Sequence, residues 1–101
     1  MAAYMIVDVT IYNEDEYARY RALTPPTIEA YDGKFVVRGG KTEIIEGEWN
    51  PQRLVVLEFP TAARAKEWWN SPEYSPLKKI RHDNAKTNML LVEGFDPVGT
   101  K

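Results

Sequence analysis

The sequence predicts an α+β domain whose elements run strand, helix, strand, strand, helix, strand. The run from Phe35 to Pro60, FVVRGGKTEIIEGEWNPQRLVVLEFP, reads as one long β-hairpin. Within it Val36, Val37, Ile44, Ile45, Leu54, Val55, Val56 and Leu57 suit a pleated surface, and Gly47 through Pro51 supply turn chemistry. Apolar residues at helical spacing flank the hairpin on both sides. Short β-branched runs begin and end the chain.

The first strand is expected over Tyr4 to Ile11. Asn13 follows as an N-cap, with Asp15 and Glu16 where the helix dipole favours anions. From Glu14 to Tyr31 the residues Tyr17, Tyr20, Leu23, Ile28 and Tyr31 fall near helical spacing. Thr24-Pro25-Pro26 should break that run into two short helices, because proline removes a helix hydrogen bond. Asp32-Gly33 then ends the helical region and opens the hairpin.

Thr61 is the next N-cap. Ala65, Trp68 and Trp69 lie toward one side of the helix that follows, which Ser71-Pro72 ends; Pro76 starts a further segment. Leu77, Ile80 and Arg81 share the inner edge of this segment by spacing, and Thr87 to Glu93 forms the final strand. One domain over residues 1–95 and a flexible tail over 96–101 are expected from a chain of 101 residues.

The βαββαβ order has a compact solution, the ferredoxin-like arrangement. Here the first and third strands lie side by side and parallel at the centre of a four-stranded antiparallel sheet, with the helices on one face. Apolar residues on the other face need a second layer, for which a second copy of the chain is the economical source, so a homodimer is expected.

Composition limits the function classes. A formal charge of -2 with scattered basic residues gives no electrostatic footprint for nucleic acid. Without cysteine the chain has no disulfide, no thiolate nucleophile and no zinc-thiolate site. The N-terminus lacks a basic segment before its apolar stretch, and no apolar run approaches the ~18 residues of a membrane span, so a soluble, cytoplasmic protein is expected.

A set of motifs in fixed order carries a resemblance: Tyr17-x-x-Tyr20, VVRGG at Val36 to Gly40, Glu46-Gly47-x-Trp49, Arg53 before the apolar strand, Glu58-Phe59-Pro60, Ser71-Pro72-Glu73-Tyr74 and Arg81. Together they resemble the small bacterial family called domain of unknown function 1330. That family is in turn similar to the dimeric α/β barrel superfamily, which includes cofactor-independent monooxygenases, muconolactone isomerase-like enzymes and haem-dependent relatives. The resemblance implies the fold and a dimer, and no particular reaction. It also implies a ligand seated between sheet and helices.

Polar groups facing that space are the candidates. Arg38 and Arg81 are the ligand anchors, because a planar, permanently charged guanidinium suits a carboxylate or phosphate. Arg38 has an equal alternative as a structural ion pair with Glu58 or Glu46 that pins a bulge at the double glycine. Should Arg38 and Arg81 converge, an anion or an acid such as Glu58 is expected between them. Tyr20 and Trp69 are the aromatic residues expected to touch ligand, although rings at helical spacing more often form core.

Asp8 and His82 are the candidates for moving a proton. Asp8 could be a buried base or a solvent-facing edge residue. His82, as the lone imidazole, suits proton transfer but sits beside Arg81 where spacing turns it toward the rim or solvent. No cofactor and no metal are expected, since one histidine and scattered carboxylates give no ligand spacing. Two functions stay open: a cofactor-independent enzyme, isomerase-like or monooxygenase-like, acting on a small anionic or aromatic metabolite, and a non-catalytic dimer that binds a small molecule or another protein.

Overall fold

In a computed structural model, which describes residues 1–96, the chain forms β1 (Ala3–Ile11), α1 (Glu14–Ala30), β2 (Lys34–Arg38), β3 (Arg53–Phe59), α2 (Ala62–Trp69), α3 (Ser75–Asn84) and β4 (Ala85–Glu93). Beyond Asp96 the expected flexible tail lies outside the described residues. The strands make one sheet in the order β2-β3-β1-β4, every neighbouring pair antiparallel. β1 and β3 are central as expected but antiparallel, with Ala3 opposite Phe59 and Val9 opposite Arg53. The reason is topological: the α1 crossover makes β2 run with β1, and the turn back into β3 reverses it.

Strand alternation divides the sheet cleanly. Met5, Val7 and Val9 of β1 and Val55, Leu57 and Phe59 of β3 are buried against the helices. Ile6, Asp8, Leu54 and Val56 alternate with them on the other face, where Leu90 is 58% and Val92 43% exposed. The helices therefore cover one face and leave the other apolar and open. Among the described residues no helix is long and apolar enough to cross a membrane.

The hairpin is shorter than its composition predicts. β2 stops at Arg38 and residues 39–52 leave the sheet, with Ile44 48% and Ile45 87% exposed. Gly39, at φ +70°, turns the chain outward while its N–H still donates to Leu54 O at 2.8 Å. β propensity reports fit to a half-buried pleated surface, and these isoleucines meet none. The bulge falls between Phe35 and Val37 rather than at the double glycine.

α1 corrects a second expectation. It is one continuous helix from Glu14 to Ala30 with Pro25 and Pro26 inside it. The buried residues Tyr17, Tyr20, Thr24 and Ile28 recur every three to four positions straight through the prolines, so a break would lift half of this stripe from the sheet. Local polar contacts offset part of the cost. Pro25 cannot donate to Arg21 O, and the Arg38 Nη2 donates to that carbonyl instead at 3.0 Å. Thr24 Oγ1 donates to Tyr20 O at 2.5 Å and Thr27 Oγ1 to Thr24 O at 2.7 Å.

The C-terminus of α1 is a Schellman turn: Asp32 N–H donates to Glu29 O at 3.0 Å and Gly33 N–H to Ile28 O at 2.9 Å. Asp32 takes the left-handed conformation, φ 66°, and Gly33 is required for space, since a Cβ there would lie 2.5 Å from the Phe59 ring. The second crossover is divided into α2 and α3, as its prolines predict.

Candidate functional site

Between α1, α3 and the covered face of the sheet lies a cavity of about 40 Å³. Its floor is apolar, from Val7, Val55 and Leu57; Tyr17, Tyr20, Trp68, Arg53 and Arg81 close around it, and Arg38 stands at its edge. A volume of this size holds roughly three water-sized spheres. It suits the head of a small molecule rather than a large aromatic ligand.

Tyr74 organises the inner wall. Ser71 places it: its hydroxyl donates to Trp68 O at 2.7 Å and accepts from Tyr74 N–H at 3.1 Å, so the turn after α2 aims the ring inward. Fully buried, Tyr74 stacks on Trp68 with ring centroids 4.0 Å apart. Its hydroxyl shares a hydrogen bond with Tyr20 Oη at 2.6 Å and accepts from Arg81 Nε at 3.2 Å. Trp68 is fixed in turn by Nε1 donating to Thr27 Oγ1 at 3.1 Å.

Arg81 is 2% exposed, held near the end of α3 with Leu77 on the same inner edge. None of the ion pairs among the described residues involves Arg81, Arg53 or Arg38. Among the described residues, three buried side-chain polar atoms have no hydrogen-bond partner: Arg81 Nη2, Arg53 Nε and Thr87 Oγ1. All three belong to the layer between sheet and helices, since Arg53 and Thr87 both stand opposite the buried Val9.

Burial pushes the Tyr20 hydroxyl well above the usual phenol range, and Tyr74 adds to the effect. Burial likewise raises Tyr17, reinforced by Tyr20 and opposed by the Arg53 and Arg81 guanidiniums. For Arg81 burial disfavours the charge, but the Tyr74 and Tyr20 oxygens outweigh it and its pKa is raised. Tyr17 and Tyr20 are therefore neutral donors and acceptors at physiological pH, and Arg81 stays cationic.

The structure brings Arg81 and Tyr20 together as one wall of this cavity, with Arg38 at the edge. Arg38 is exposed, donates to Arg21 O and lies 4.4 Å from the Phe35 ring centroid. It pairs with neither Glu58 nor Glu46. Glu58 shares the open face with Lys34 and Tyr4, so it cannot lie between the arginines. Trp69 is displaced by its neighbour: Trp68 lines the cavity, while Trp69 is half-buried with Lys78 Nζ 3.9 Å over its ring.

Asp8 lies on the open face of the central strand, not at an edge, and accepts from Trp49 Nε1 at 2.9 Å. His82 is exposed; partial desolvation, then the charges of Arg81 and Lys78, lower its pKa. Neither joins the cavity. Among the described residues no group of three or more histidines and carboxylates could hold a metal.

Arg53, Tyr17 and Tyr74 were not singled out from the sequence as site residues. Alternation with Val55, Leu57 and Phe59 places Arg53 on the covered face and was the available signal. Gly39 makes room for it, since a Cβ there would collide with Arg53 Nη1.

The family model described as Domain of unknown function (DUF1330) matches residues 2–95. None of the curated proteins matches the sequence. Several solved structures are similar. The RPA0582 protein of unknown function from Rhodopseudomonas palustris superposes with a TM-score of 0.78 at 19% identity, covering 95% of this chain and 84% of that one. SnoaB, a cofactor-independent oxygenase from Streptomyces nogalater, gives 0.65 at 12% identity, with 98% of each chain covered. A dimeric protein of unknown function and ferredoxin-like fold from Bacteroides fragilis gives 0.53 at 18% identity, covering 92% of this chain and 96% of that one. At these identities the likeness establishes the ferredoxin-like fold alone.

Proposed function

The chain belongs to the DUF1330 family, whose description assigns no reaction, and we propose from the geometry of the cavity that it binds a small organic anion between sheet and helices. One observation carries this reading: Arg81 is 2% exposed, has an unpartnered Nη2 and has no carboxylate beside it. The tyrosine oxygens hold the charge but leave Nη2 a free donor, and an anion in the cavity completes it with charge-assisted hydrogen bonds.

Thermal unfolding with a panel of small carboxylic acids at fixed ionic strength tests the proposal. A ligand at a hundred times its Kd adds about 2.7 kcal/mol. This corresponds to several degrees in Tm for a domain of this size. The shift should vanish in Arg81→Met. Equal Tm values with and without every acid would overturn it.

The same reading includes a cytoplasmic homodimer joined through the open sheet face. Ile6, Leu54, Val56, Leu90 and Val92 form that face, and one structural neighbour is described as dimeric. An interface above about 1,000 Å² is expected. Light scattering that gave a monomer mass at micromolar concentration would sink it.

A catalytic use of the cavity is the second reading, favoured by the Tyr20–Tyr74 hydroxyl pair beside Arg81 and by the description of SnoaB as a cofactor-independent oxygenase. The pair, rather than Asp8 or His82, is then the group placed to donate a proton or hydrogen bond to a bound ligand. Turnover of a bound acid that is lost in Tyr20→Phe while binding persists would support it. A bound acid that undergoes no chemical change leaves the protein a binder.

A further inference from the structure

Among the described residues four arginines line the cavity, Arg21, Arg38, Arg53 and Arg81, and no aspartate or glutamate does. Arg21 has Glu14 at 3.7 Å. Arg38 gives its hydrogen bond to a neutral carbonyl at the exposed edge. The inner two, Arg53 and Arg81, each keep a buried donor without an acceptor, and they come from opposite layers, Arg53 from β3 and Arg81 from α3. Tyr17, whose ring centroid is 5.2 Å from that of Tyr20, feels both guanidiniums.

Arg53 is built into place. It enters the covered face beside Val55, and its guanidinium occupies the space that the absent Gly39 side chain leaves. A monoanion seated on Arg81 would leave the charge of Arg53 uncompensated against the same apolar floor.

We propose, resting on the anion-binding reading above, that the ligand is a short-chain dicarboxylate, one carboxylate on Arg81 and the other on Arg53, with its carbon chain over Val7, Val55 and Leu57. The cavity of about 40 Å³ limits the chain to roughly two to four carbons.

Calorimetric titration of the whole protein at neutral pH and fixed ionic strength, with malonate, propionate and inorganic phosphate as probes, tests it. Malonate and propionate share a carbon count and differ by one carboxylate. Malonate is expected to bind at least about tenfold more tightly than propionate, the worth of one charge-assisted contact. In Arg53→Met this preference is lost, malonate binding falling to within about threefold of propionate binding. The wild-type comparison carries the test by itself should that variant fail to fold. Equal binding of malonate and propionate overturns the dicarboxylate and leaves the single-anion reading standing. Phosphate binding as tightly as malonate overturns the two-anchor geometry, because a compact dianion would then suffice. Failure of all three to bind overturns the inference and, with the broader acid panel also silent, the anion-binding reading beneath it.

Discussion

Arg64 and Arg81 occupy opposite situations. On the surface of α2, Arg64 has Asp32 at 3.1 Å, Glu67 at 3.2 Å, the Ala30 carbonyl and the Tyr31 ring around it. Carboxylates surround a cation that water would have solvated anyway. Arg81, taken out of water, has two tyrosine hydroxyls, a tryptophan ring 5.6 Å away and no carboxylate. Random scatter of charge does not produce this inversion easily, because the buried site is where an unpaired charge costs most. The protein has acids in supply, and among the described residues none lines the cavity. On the anion-binding reading proposed above, the difference marks where a negative charge from outside the chain is taken up.

The largest expected effect tests that inversion directly. A carboxylic acid at a hundred times its Kd should raise the stability of the wild type by about 2.7 kcal/mol, read as a higher urea midpoint at unchanged slope, and leave Arg81→Met where it was. Equal gains in the two proteins would mean that Arg81 does not hold the acid, and the comparison would fail. Next comes Thr27→Val, which leaves the Trp68 Nε1–H without its acceptor and should cost about 1–3 kcal/mol by the same measurement. Arg64→Ala should leave the urea midpoint within the scatter of repeat measurements, because exposed ion pairs contribute little however many partners they have.

The smallest effect is one of pH. His82 has a folded pKa below its ordinary 6.5, so the unfolded chain takes the proton more readily. Its contribution is neutral above that value and becomes a penalty as pH falls through 6.5 toward the folded pKa. Replacing His82 by Gln should therefore add stability at roughly pH 5 relative to wild type and add none near roughly pH 7.5. Equal pH profiles for the two proteins would show that neither the partial desolvation of His82 nor the charges of Arg81 and Lys78 penalise its protonation.

Periodicity made much of the fold legible. The caps Asn13 and Thr61, the division of the second crossover and the central place of β1 and β3 all follow from local patterns. The misreadings arose where two physical effects compete. At Thr24-Pro25-Pro26 the proline rule argues for a break, and the buried stripe from Tyr17 to Ile28 wins because it is anchored on both sides. At Ile44 and Ile45 a local β preference finds no neighbouring strand.

The site was legible only where spacing fixed a face. Spacing placed Arg81 and Tyr20 on inner faces, and both line the cavity. Alternation alone would also have placed Arg53 inside and Glu58 and Asp8 on the opposite face. Which of Trp68 and Trp69 turns inward depends on the rotation of α2, one residue finer than its spacing resolves. Tyr74 sits just ahead of α3, and only the Ser71 turn aims it at Tyr20.

Residues 25 and 26 carry no amide hydrogen, so α1 crosses its middle with two rungs of its ladder missing. Its first turns are fastened through Tyr17 and Tyr20, and its last through Ile28 and the Gly33 amide. Local unfolding follows such seams, because cooperative units end where few bonds cross. Deuterium labelling should therefore find two exchange domains within one continuous helix, with amides up to Thr24 and amides from Thr27 opening at separate rates. The Arg38 bond to Arg21 O fastens only the N-terminal side of that seam to β2, so loss of the Arg38 side chain should speed exchange in the first half of the helix more than in the second.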